Sequence, residues 1–350
     1  MDQLRVAVIG AGILGRRHAR VFHELERSRL VAVADRSLEK AATAAQATGA
    51  RPYTDAETML REVDCDAVAV ATPDHLHTVP VIAALRAGKH VLVEKPLATT
   101  LEDAGAMIAE ADRHGLILQV NYSQRYVPEY AWMKEQIAAG VIGRPAMVLS
   151  TKQDTIYVPT RMIGWAAQSS PVFFMSSHDI DLVGWMTGGN ARRVFAHERR
   201  GALEALGTHV HDGVDALVEY DNDVVANYHS SWILPESYPA ITVDRMTIIG
   251  EAGLLHFESL GRSVECYSVR DGRTVTFTGP QTATEVDGHI RGAFRTSLES
   301  FLEAITTGVE TATAARKTLP VVAVQAAILE SARSGAACDC ALLETPLAPD

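Results

Sequence analysis

A glycine-rich turn directly after a short apolar run is the feature that most restricts how this sequence folds. The run Arg5–Ile9 has the pattern of a buried strand, and Gly10-Ala11-Gly12-Ile13-Leu14-Gly15 follows it and opens a helical pattern. In such a unit Gly10 permits the tight turn, Gly12 lets the backbone approach a ligand, and Gly15 lets the helix pack closely on the strand. The amino end of the helix, from Gly12 through Ile13 and Leu14, then presents N–H groups to phosphates. The stretch therefore predicts a dinucleotide-binding βαβ unit.

The second predicted strand ends in an acidic residue, which bears on the choice of dinucleotide. Leu30–Ala34 is the strand, and Asp35 follows it. A carboxylate at this position can accept both ribose hydroxyls of the adenosine half and repels a 2'-phosphate, which favours NAD over NADP. Arg36 can stack on the adenine or tolerate a phosphate, so NADP stays open as an alternative.

Two more strand ends carry candidate cofactor ligands. Ala71, Thr72 and Pro73 end the run that starts at Asp66, and small residues there let a dinucleotide lie across the sheet edge. The run Val91–Val93 leads into Glu94-Lys95-Pro96. Because an open parallel sheet binds ligands at the carboxyl ends of its strands, Lys95 is the leading candidate for donating to a reacting oxygen.

Composition excludes several other classes of protein. The 32 basic and 43 acidic residues give a net charge of -11, which argues against nucleic acid as a partner. The most apolar helical stretch is too short to span a bilayer, and the first residues do not resemble a signal peptide, so no membrane association is expected. Four cysteines in 350 residues fit a reducing cytoplasm better than a disulfide framework. No His or Cys pattern is strong enough to predict a metal.

The pattern changes after about residue 123. Residues 1–123 predict a doubly wound parallel α/β domain, and residues 124–350 predict an α+β domain with a large, open, mainly antiparallel mixed sheet. Predicted strands of the second domain cover the following ranges: 146–154, 193–199, 214–220, 224–233, 242–249, 254–258, 264–269 and 273–277. Amphipathic helices are predicted at 291–307 and 314–334. An open sheet face of this kind suits a homodimer or homotetramer.

Four motifs together give the chain a resemblance to the glucose-fructose oxidoreductase / inositol dehydrogenase (Gfo/Idh/MocA) family. They are the glycine turn at 10–15, Ala71-Thr72-Pro73 followed by His77, Ala87-Gly88-Lys89-His90-Val91 leading into Glu94-Lys95-Pro96, and Arg125-Tyr126-Val127-Pro128. The resemblance covers nearly the whole chain. It implies that His77 and Glu94 help to bind the cofactor, that Lys95 lies beside the nicotinamide, and that Lys95-Pro96 is a cis peptide.

The same resemblance picks out His178 as the second catalytic residue. Family members usually carry an aspartate four residues before this histidine and another three residues after it; Asp181 matches the second, but the first position is Phe174. His178 is a natural general base, because its ordinary pKa lets it exchange protons near neutrality. Asp179 is a partial substitute or a helix cap. Arg125, Tyr126, Asp154 and Trp165 are weaker candidates for lining a polyol pocket.

The predicted activity is hydride transfer between a nicotinamide and a carbinol or ketone of a sugar, polyol or inositol. His178 would take the hydroxyl proton and Lys95 would stabilise the oxygen. Two alternatives share the fold: a non-catalytic nucleotide-sensing regulator, and a redox-neutral NAD-dependent glycosidase or lyase. Phe174 favours the regulator, because family members usually carry an aspartate at this position.

Overall fold

The computed structural model describes residues 3–46, 48–260 and 283–340, and it divides the chain into two compact units. The first unit contains the described residues up to 126 and residues 283–323. The second contains residues 127–260 and 324–340. Among the described residues, no helix has both the length and the apolar character needed to cross a membrane.

The first unit is built on a six-stranded sheet in which every pairing is parallel, with the order β3-β2-β1-β4-β5-β6. Its strands are β1 (Leu4–Ile9), β2 (Ser28–Ala34), β3 (Arg51–Tyr53), β4 (Ala67–Val70), β5 (His90–Val93) and β6 (Leu118–Val120). The chain crosses between strands β1 and β6 through α1 (Ile13–Glu24), α2 (Leu38–Ala45), α3 (Ala56–Glu62), α4 (Thr78–Arg86) and α5 (Leu101–His114). The predicted doubly wound parallel sheet is confirmed.

Local signals explain where these helices begin. Ser37 caps α2, Asp55 caps α3 and Thr100 caps α5, each accepting a hydrogen bond from a backbone N–H of the first turn. Strand β4 is buried along its whole length, as a strand covered on both faces must be.

A segment from late in the chain completes the core of the first unit. Strands β13 (Thr284–Val286) and β14 (His289–Arg291) form a short hairpin before α8 (Ala293–Thr307). Phe294, Leu298, Phe301 and Leu302 of α8 belong to the same hydrophobic cluster as Val6 and Phe22. The predicted boundary at residue 123 lies close to the observed one at 126, but residues 283–323 return to the first unit, because the apolar stripe of α8 packs there.

The second unit contains a seven-stranded mixed sheet with the order β12-β11-β7-β10-β9-β8-β15. Its strands are β7 (Pro145–Thr155), β8 (Ala191–Arg199), β9 (Gly213–Tyr220), β10 (Val225–Leu234), β11 (Thr242–Gly250), β12 (Gly253–Glu258) and β15 (Cys338–Asp339). Its helices are α6 (Pro128–Ala138), α7 (Ser177–Thr187) and the part of α9 (Ala315–Ser334) from Val324 onward. Strands β10 and β7 pair in parallel, and the other pairs are antiparallel.

The strand predictions for this unit are confirmed wherever the structure describes the chain. The predicted strands at 264–269 and 273–277 lie outside the described residues. The short strand β15 was not predicted, and neither was the parallel pairing of β10 with β7. Both depend on which strands become neighbours, and alternation along one strand carries no information about its neighbours.

Candidate active site

The turn between β1 and α1 has the geometry that its three glycines predict. Gly10 has a φ of +94°, and a Cβ built on it would lie 2.6 Å from the backbone oxygen of Ala71. A Cβ built on Gly15 would lie 1.7 Å from the backbone oxygen of Gly10. No side chain larger than hydrogen fits at either position, so the two glycines are required for the turn itself.

Gly12 differs from these two glycines, because a Cβ built on it meets nothing within 4 Å. It is solvent-exposed at the start of α1, which has no side-chain cap and no acidic residue in its first turn. Ile13 is also exposed, and Leu14 is half-buried. An uncapped helix start beside open backbone is a suitable site for a pyrophosphate, so these residues fit a dinucleotide.

Asp35 connects this turn to the end of β2. Its Oδ2 accepts a hydrogen bond from the Ala11 N–H at 2.8 Å, and its Oδ1 accepts one from the Ser37 N–H at 2.9 Å. Each carboxylate oxygen has further lone pairs that can accept from ribose hydroxyls. Arg36 is exposed beside it.

The end of β4 lies next to the glycine turn, and the Ala71 N–H donates to the backbone oxygen of Ile9. Ala71, Thr72 and Pro73 are all half-buried, and the Thr72 hydroxyl donates to the backbone oxygen of Leu76 at 3.2 Å. The residues at this end of the sheet are small and leave space beside it, which fits the prediction that a dinucleotide lies across it.

His77 does not have the exposure that a cofactor ligand needs. It is buried, with Nδ1 2.8 Å from the backbone oxygen of Pro96 and Nε2 3.1 Å from that of Thr72. Burial lowers the pKa of the imidazole, although Asp74 and the two carbonyl groups oppose that effect. Its contacts link the segments after β4 and β5, so they favour a role in holding two strand ends together.

Lys95 follows the end of β5 and is half-buried, and the Lys95–Pro96 peptide bond is cis. Glu94, just before it, is buried and faces into the protein. Its Oε1 lies 2.7 Å from Nε2 of His18 and accepts a hydrogen bond from Nδ2 of Asn121 at 2.8 Å. These contacts are within the protein, which argues against direct cofactor binding by the Glu94 carboxylate.

In the second unit, His178 lies in the first turn of α7 and is half-buried. The adjacent Asp179 is buried, and its Oδ1 lies 2.7 Å from Nζ of Lys152 on β7. The same ammonium lies 3.0 Å from Oδ2 of Asp244 on β11, which also accepts a hydrogen bond from the Tyr130 hydroxyl. The carboxylate of Asp179 therefore links α7 to the sheet through Lys152.

This buried group contains two carboxyl groups but only one ammonium, so one carboxyl group has no positive charge to balance it. Burial, together with repulsion from Asp244, raises the pKa of Asp179 to about 6, despite the opposing effect of Lys152. Burial disfavours the ammonium of Lys152, but the two carboxylates outweigh it and raise its pKa. The attraction between the Lys152 ammonium and the two carboxyl groups therefore holds the first turn of α7 to the sheet.

Phe174 lies on the turn that leads into α7, in an aromatic group. Its ring centroid is 5.9 Å from that of Trp165 and 5.7 Å from that of Trp232, with tilted and edge-on geometries. Phe174 and Trp165 are both half-buried. The position that carries an aspartate in the resembling family is therefore occupied by part of an aromatic cluster.

The remaining predicted substrate residues have protein partners. Asp154 is 1% exposed, and its two oxygens accept hydrogen bonds from Trp232 and Thr242. Arg125 donates to the backbone oxygen of Ala312, and the Tyr126 hydroxyl donates to the side-chain hydroxyl oxygen of Ser300. These contacts favour structural roles for Asp154, Arg125 and Tyr126, and leave Trp165 as the candidate with an exposed aromatic surface.

Sequence reasoning missed His18, Asn121, Lys152 and Asp244. His18 lies on the buried stripe of α1 with Gly15 and Phe22. A histidine at a buried position of an apolar stripe indicates that its side chain has a polar partner. Lys152 follows the buried alternation of β7 in the same way. Neither pattern indicates which distant residue the side chain meets.

The glycine turn, the acid at the end of β2 and the lysine at the end of β5 define a dinucleotide-binding protein with a second, sheet-containing unit. Residues 4–122 match the profile described as "Oxidoreductase family, NAD-binding Rossmann fold", and residues 134–339 match "Oxidoreductase family, C-terminal alpha/beta domain". The chain therefore belongs to the GFO/IDH/MocA oxidoreductase family, as its motifs predicted, and its cofactor is NAD.

Similar proteins cover between about two thirds and nearly all of the chain. Inositol 2-dehydrogenase 2 of Saccharopolyspora erythraea is 29% identical over 95% of this chain and 94% of its own. The 1,5-anhydro-D-fructose reductase of Ensifer adhaerens is 31% identical over 65% of this chain and 69% of its own. The crystal structure of myo-inositol 2-dehydrogenase from Lactobacillus plantarum has a TM-score of 0.82 at 20% identity, covering 97% of this chain and 99% of that one. This last likeness concerns the fold alone.

Proposed function

We propose that this chain is an NAD-dependent dehydrogenase or reductase that acts on a CH–OH group of a sugar, polyol or inositol. The observation that supports this proposal most is the set of residues at the carboxyl end of the first sheet. There the open amino end of α1, the Asp35 carboxylate and the half-buried Lys95 follow the carboxyl ends of β1, β2 and β5. Relatives named as inositol 2-dehydrogenases and a 1,5-anhydro-D-fructose reductase support the substrate class.

Two residues have direct roles in this proposal. When bound, NAD supplies the acceptor for a hydride from the carbinol carbon. The Lys95 ammonium donates a hydrogen bond to the substrate oxygen and stabilises its alkoxide character. His178 takes the hydroxyl proton on oxidation and returns it on reduction. We test NADP beside NAD, because Arg36 is exposed beside Asp35 and could accept a 2'-phosphate.

A panel of sugars, inositols and 1,5-anhydro sugars, each incubated with NAD and separately with NADP, tests this function by absorbance of the reduced nicotinamide. Accumulation of reduced nicotinamide with at least one carbinol supports the dehydrogenase. Conversion of a substrate without net reduction indicates the redox-neutral glycosidase or lyase, and nucleotide binding without any turnover indicates the regulator.

Two variants test the roles of the residues. Lys95→Ala should lower turnover by about two orders of magnitude or more while NAD binding is largely kept. His178→Asn should lower turnover and remove the decrease in rate at acidic pH that protonation of the imidazole causes. Near-normal turnover of Lys95→Ala would exclude it as the polarising group.

We further propose that the chain forms a homodimer or homotetramer through the outer face of its large sheet. Alternation along the strands places several exposed apolar side chains on this face: Met147, Leu149, Phe195, Leu217 and Leu254. The strand register aligns Leu149, Asn227, Leu217 and Phe195 in one row across β7, β10, β9 and β8. An apolar row on an otherwise polar face suits association with a second copy.

The reducing cytoplasm is the compartment that we propose for this protein. Cys65, Cys338 and Cys340, which are the cysteines within the described residues, are all free thiols. Free thiols persist where the compartment is reducing.

A further inference from the structure

Four buried side chains form a hydrogen-bonded network that includes Glu94, the residue directly before Lys95. The Ser297 hydroxyl of α8 donates to Oδ1 of Asn121 at 2.8 Å, and Nδ2 of Asn121 donates to Oε1 of Glu94 at 2.8 Å. His18 of α1 completes the chain, with Nε2 2.7 Å from the same oxygen. All four residues are buried.

The hydrogen bonding of His18 indicates which ring nitrogen serves Glu94. Among the described residues Nδ1 of His18 is buried without a hydrogen-bond partner, whereas Nε2 faces the carboxylate. A carboxylate can only accept hydrogen bonds, so Nε2 is the nitrogen that donates to Glu94.

Glu94 consequently carries a buried negative charge next to Lys95. Burial opposes ionisation, but the hydrogen bonds from His18 and Asn121 and the nearby charge of Lys95 outweigh it and lower the pKa of the carboxyl. His77 also interacts electrostatically with Glu94, as well as with Asp74. Asn121 and Ser297 are neutral.

The same network connects two parts of the proposed site. His18 belongs to the helix whose amino end presents the open backbone at Gly12, and Glu94 follows β5, where Lys95 begins the next segment. The Lys95 N–H lies 3.4 Å from Oε2 of Glu94. Movement of the carboxylate would therefore affect the backbone and the electrostatic environment of Lys95 together.

We propose that Glu94 is a positioning residue that fixes the backbone of Lys95 and keeps its side chain protonated, and that His18 and Asn121 hold Glu94 in place as an anion. This role rests on the proposed function, in which the Lys95 ammonium donates to the substrate oxygen. In this role the carboxylate needs no contact of its own with substrate or cofactor. It acts through Lys95, because a buried anion close to an ammonium favours the charged form.

Glu94→Gln tests the proposal, since it keeps the shape of the side chain and removes the charge. We expect kcat to fall roughly tenfold or more, with the KM for substrate and the Kd for NAD changed only about twofold. The loss of activity at alkaline pH should move to lower pH by about one unit, because Lys95 then loses its proton more easily. Unchanged kcat together with an unchanged alkaline limb would overturn the proposal.

Glu110→Gln is the matched control. Glu110 is as buried as Glu94, in the same unit, and it binds Arg86, Arg113 and His114 instead. Its loss should lower thermal stability without moving the alkaline limb. A shift of the same size in Glu110→Gln would show that general loss of stability explains the effect, and would also overturn the proposal.

Variants of His18 and Asn121 keep the proposal testable if Glu94→Gln does not fold. His18→Gln retains an N–H donor for Glu94 and should keep most of the activity, whereas His18→Leu and Asn121→Ala should move the alkaline limb in the same direction as Glu94→Gln. Equal activity and equal pH profiles for His18→Gln and His18→Leu would contradict it.

Lys95→Ala separates this inference from the function on which it rests. If Lys95→Ala keeps normal turnover, the proposed function fails. If Lys95→Ala is inactive while Glu94→Gln behaves like wild type, the inference about Glu94 fails alone.

Discussion

The carboxylate of Asp35 accepts a hydrogen bond from the backbone N–H of Ala11, with 2.8 Å between Oδ2 and the nitrogen. A residue proposed to bind the ribose thus also holds the glycine turn that is proposed to bind the pyrophosphate. The two halves of the adenosine diphosphate site are coupled through one side chain.

Asp35→Asn should therefore weaken NAD binding by about tenfold or more, because its amide N–H₂ would face the N–H of Ala11 or Ser37. The ratio of NADP to NAD affinity should rise, since the negative charge that repels a 2'-phosphate is gone. Isothermal titration calorimetry with NAD and with NADP measures both affinities. Asp66→Asn is the control, because the Asp66 carboxylate accepts a hydrogen bond from the Arg5 N–H at the amino ends of β1 and β4 in the same sheet. Equal losses in both variants would contradict the assignment.

Substitution by alanine should lower stability at Gly15 and NAD affinity at Gly12. Gly15→Ala places a methyl group 1.7 Å from the Gly10 oxygen and should cost about 3 kcal/mol or more of unfolding free energy. Gly12→Ala meets nothing within 4 Å and has a φ of -69°, so its stability should change by less than about 0.5 kcal/mol. Its NAD affinity should fall, because the methyl group occupies the space that the pyrophosphate needs.

Denaturant unfolding and NAD titration on the two glycine variants separate these effects. A Gly12→Ala protein that is stable and binds NAD normally would exclude this turn as the pyrophosphate site. A Gly15→Ala protein of wild-type stability would contradict the packing of α1 against the turn.

Lys152→Met should destabilise the second unit by roughly 3 to 5 kcal/mol, because it leaves Asp179 and Asp244 buried without their ammonium. The pKa of Asp179 is already raised to about 6, so the folded state binds this proton more tightly than the unfolded state. Its contribution to stability therefore falls as pH rises from about 4 to 6. Without Lys152 that pKa rises further, so the cost should be larger at pH 7 than at pH 5.

Urea unfolding of Lys152→Met at the two pH values checks this expectation. Arg144→Met serves as the control, since its ion pair with Glu251 is exposed and should contribute little to stability at either pH. A cost for Lys152→Met that is independent of pH would argue against the uncompensated carboxylates as its cause.

Leu217→Asp should dissociate the proposed oligomer, because it places a charge in the middle of the apolar row between Asn227 and Phe195. Light scattering after size-exclusion chromatography gives the mass of the wild type and the variant. Val79→Asp introduces the same charge at an exposed apolar position of the first unit and should leave the mass unchanged. A wild-type mass for Leu217→Asp would contradict association through this sheet face.

The parts of the fold that could be predicted are those that short stretches of sequence determine. The glycine turn at 10–15 lies within six consecutive residues, continuous apolar runs mark the strands of the first sheet, and alternation marks those of the second. The proposed catalytic lysine was found because it follows a buried strand. These signals depend on a few consecutive residues.

The side-chain networks could not be predicted, because their members are far apart in sequence. His18 and Glu94 are separated by 76 residues, and Asn121 and Ser297 by 176. Glu94 and His77 were predicted to contact the cofactor because they lie in recognised motifs, yet their polar atoms bind other parts of the protein. A sequence motif marks such residues as important, but it does not show which way their side chains face.

The return of α8 to the first unit has a consequence for how the protein is made. Phe294, Leu298 and Phe301 are among the last apolar residues to reach the core that contains Val6 and Phe22. At ordinary rates of translation, roughly ten seconds or more pass between the two groups emerging from the ribosome. The nascent amino-terminal sheet must stay partly uncovered for that time, so a chaperone that shields apolar surface would help it most before α8 has been synthesised.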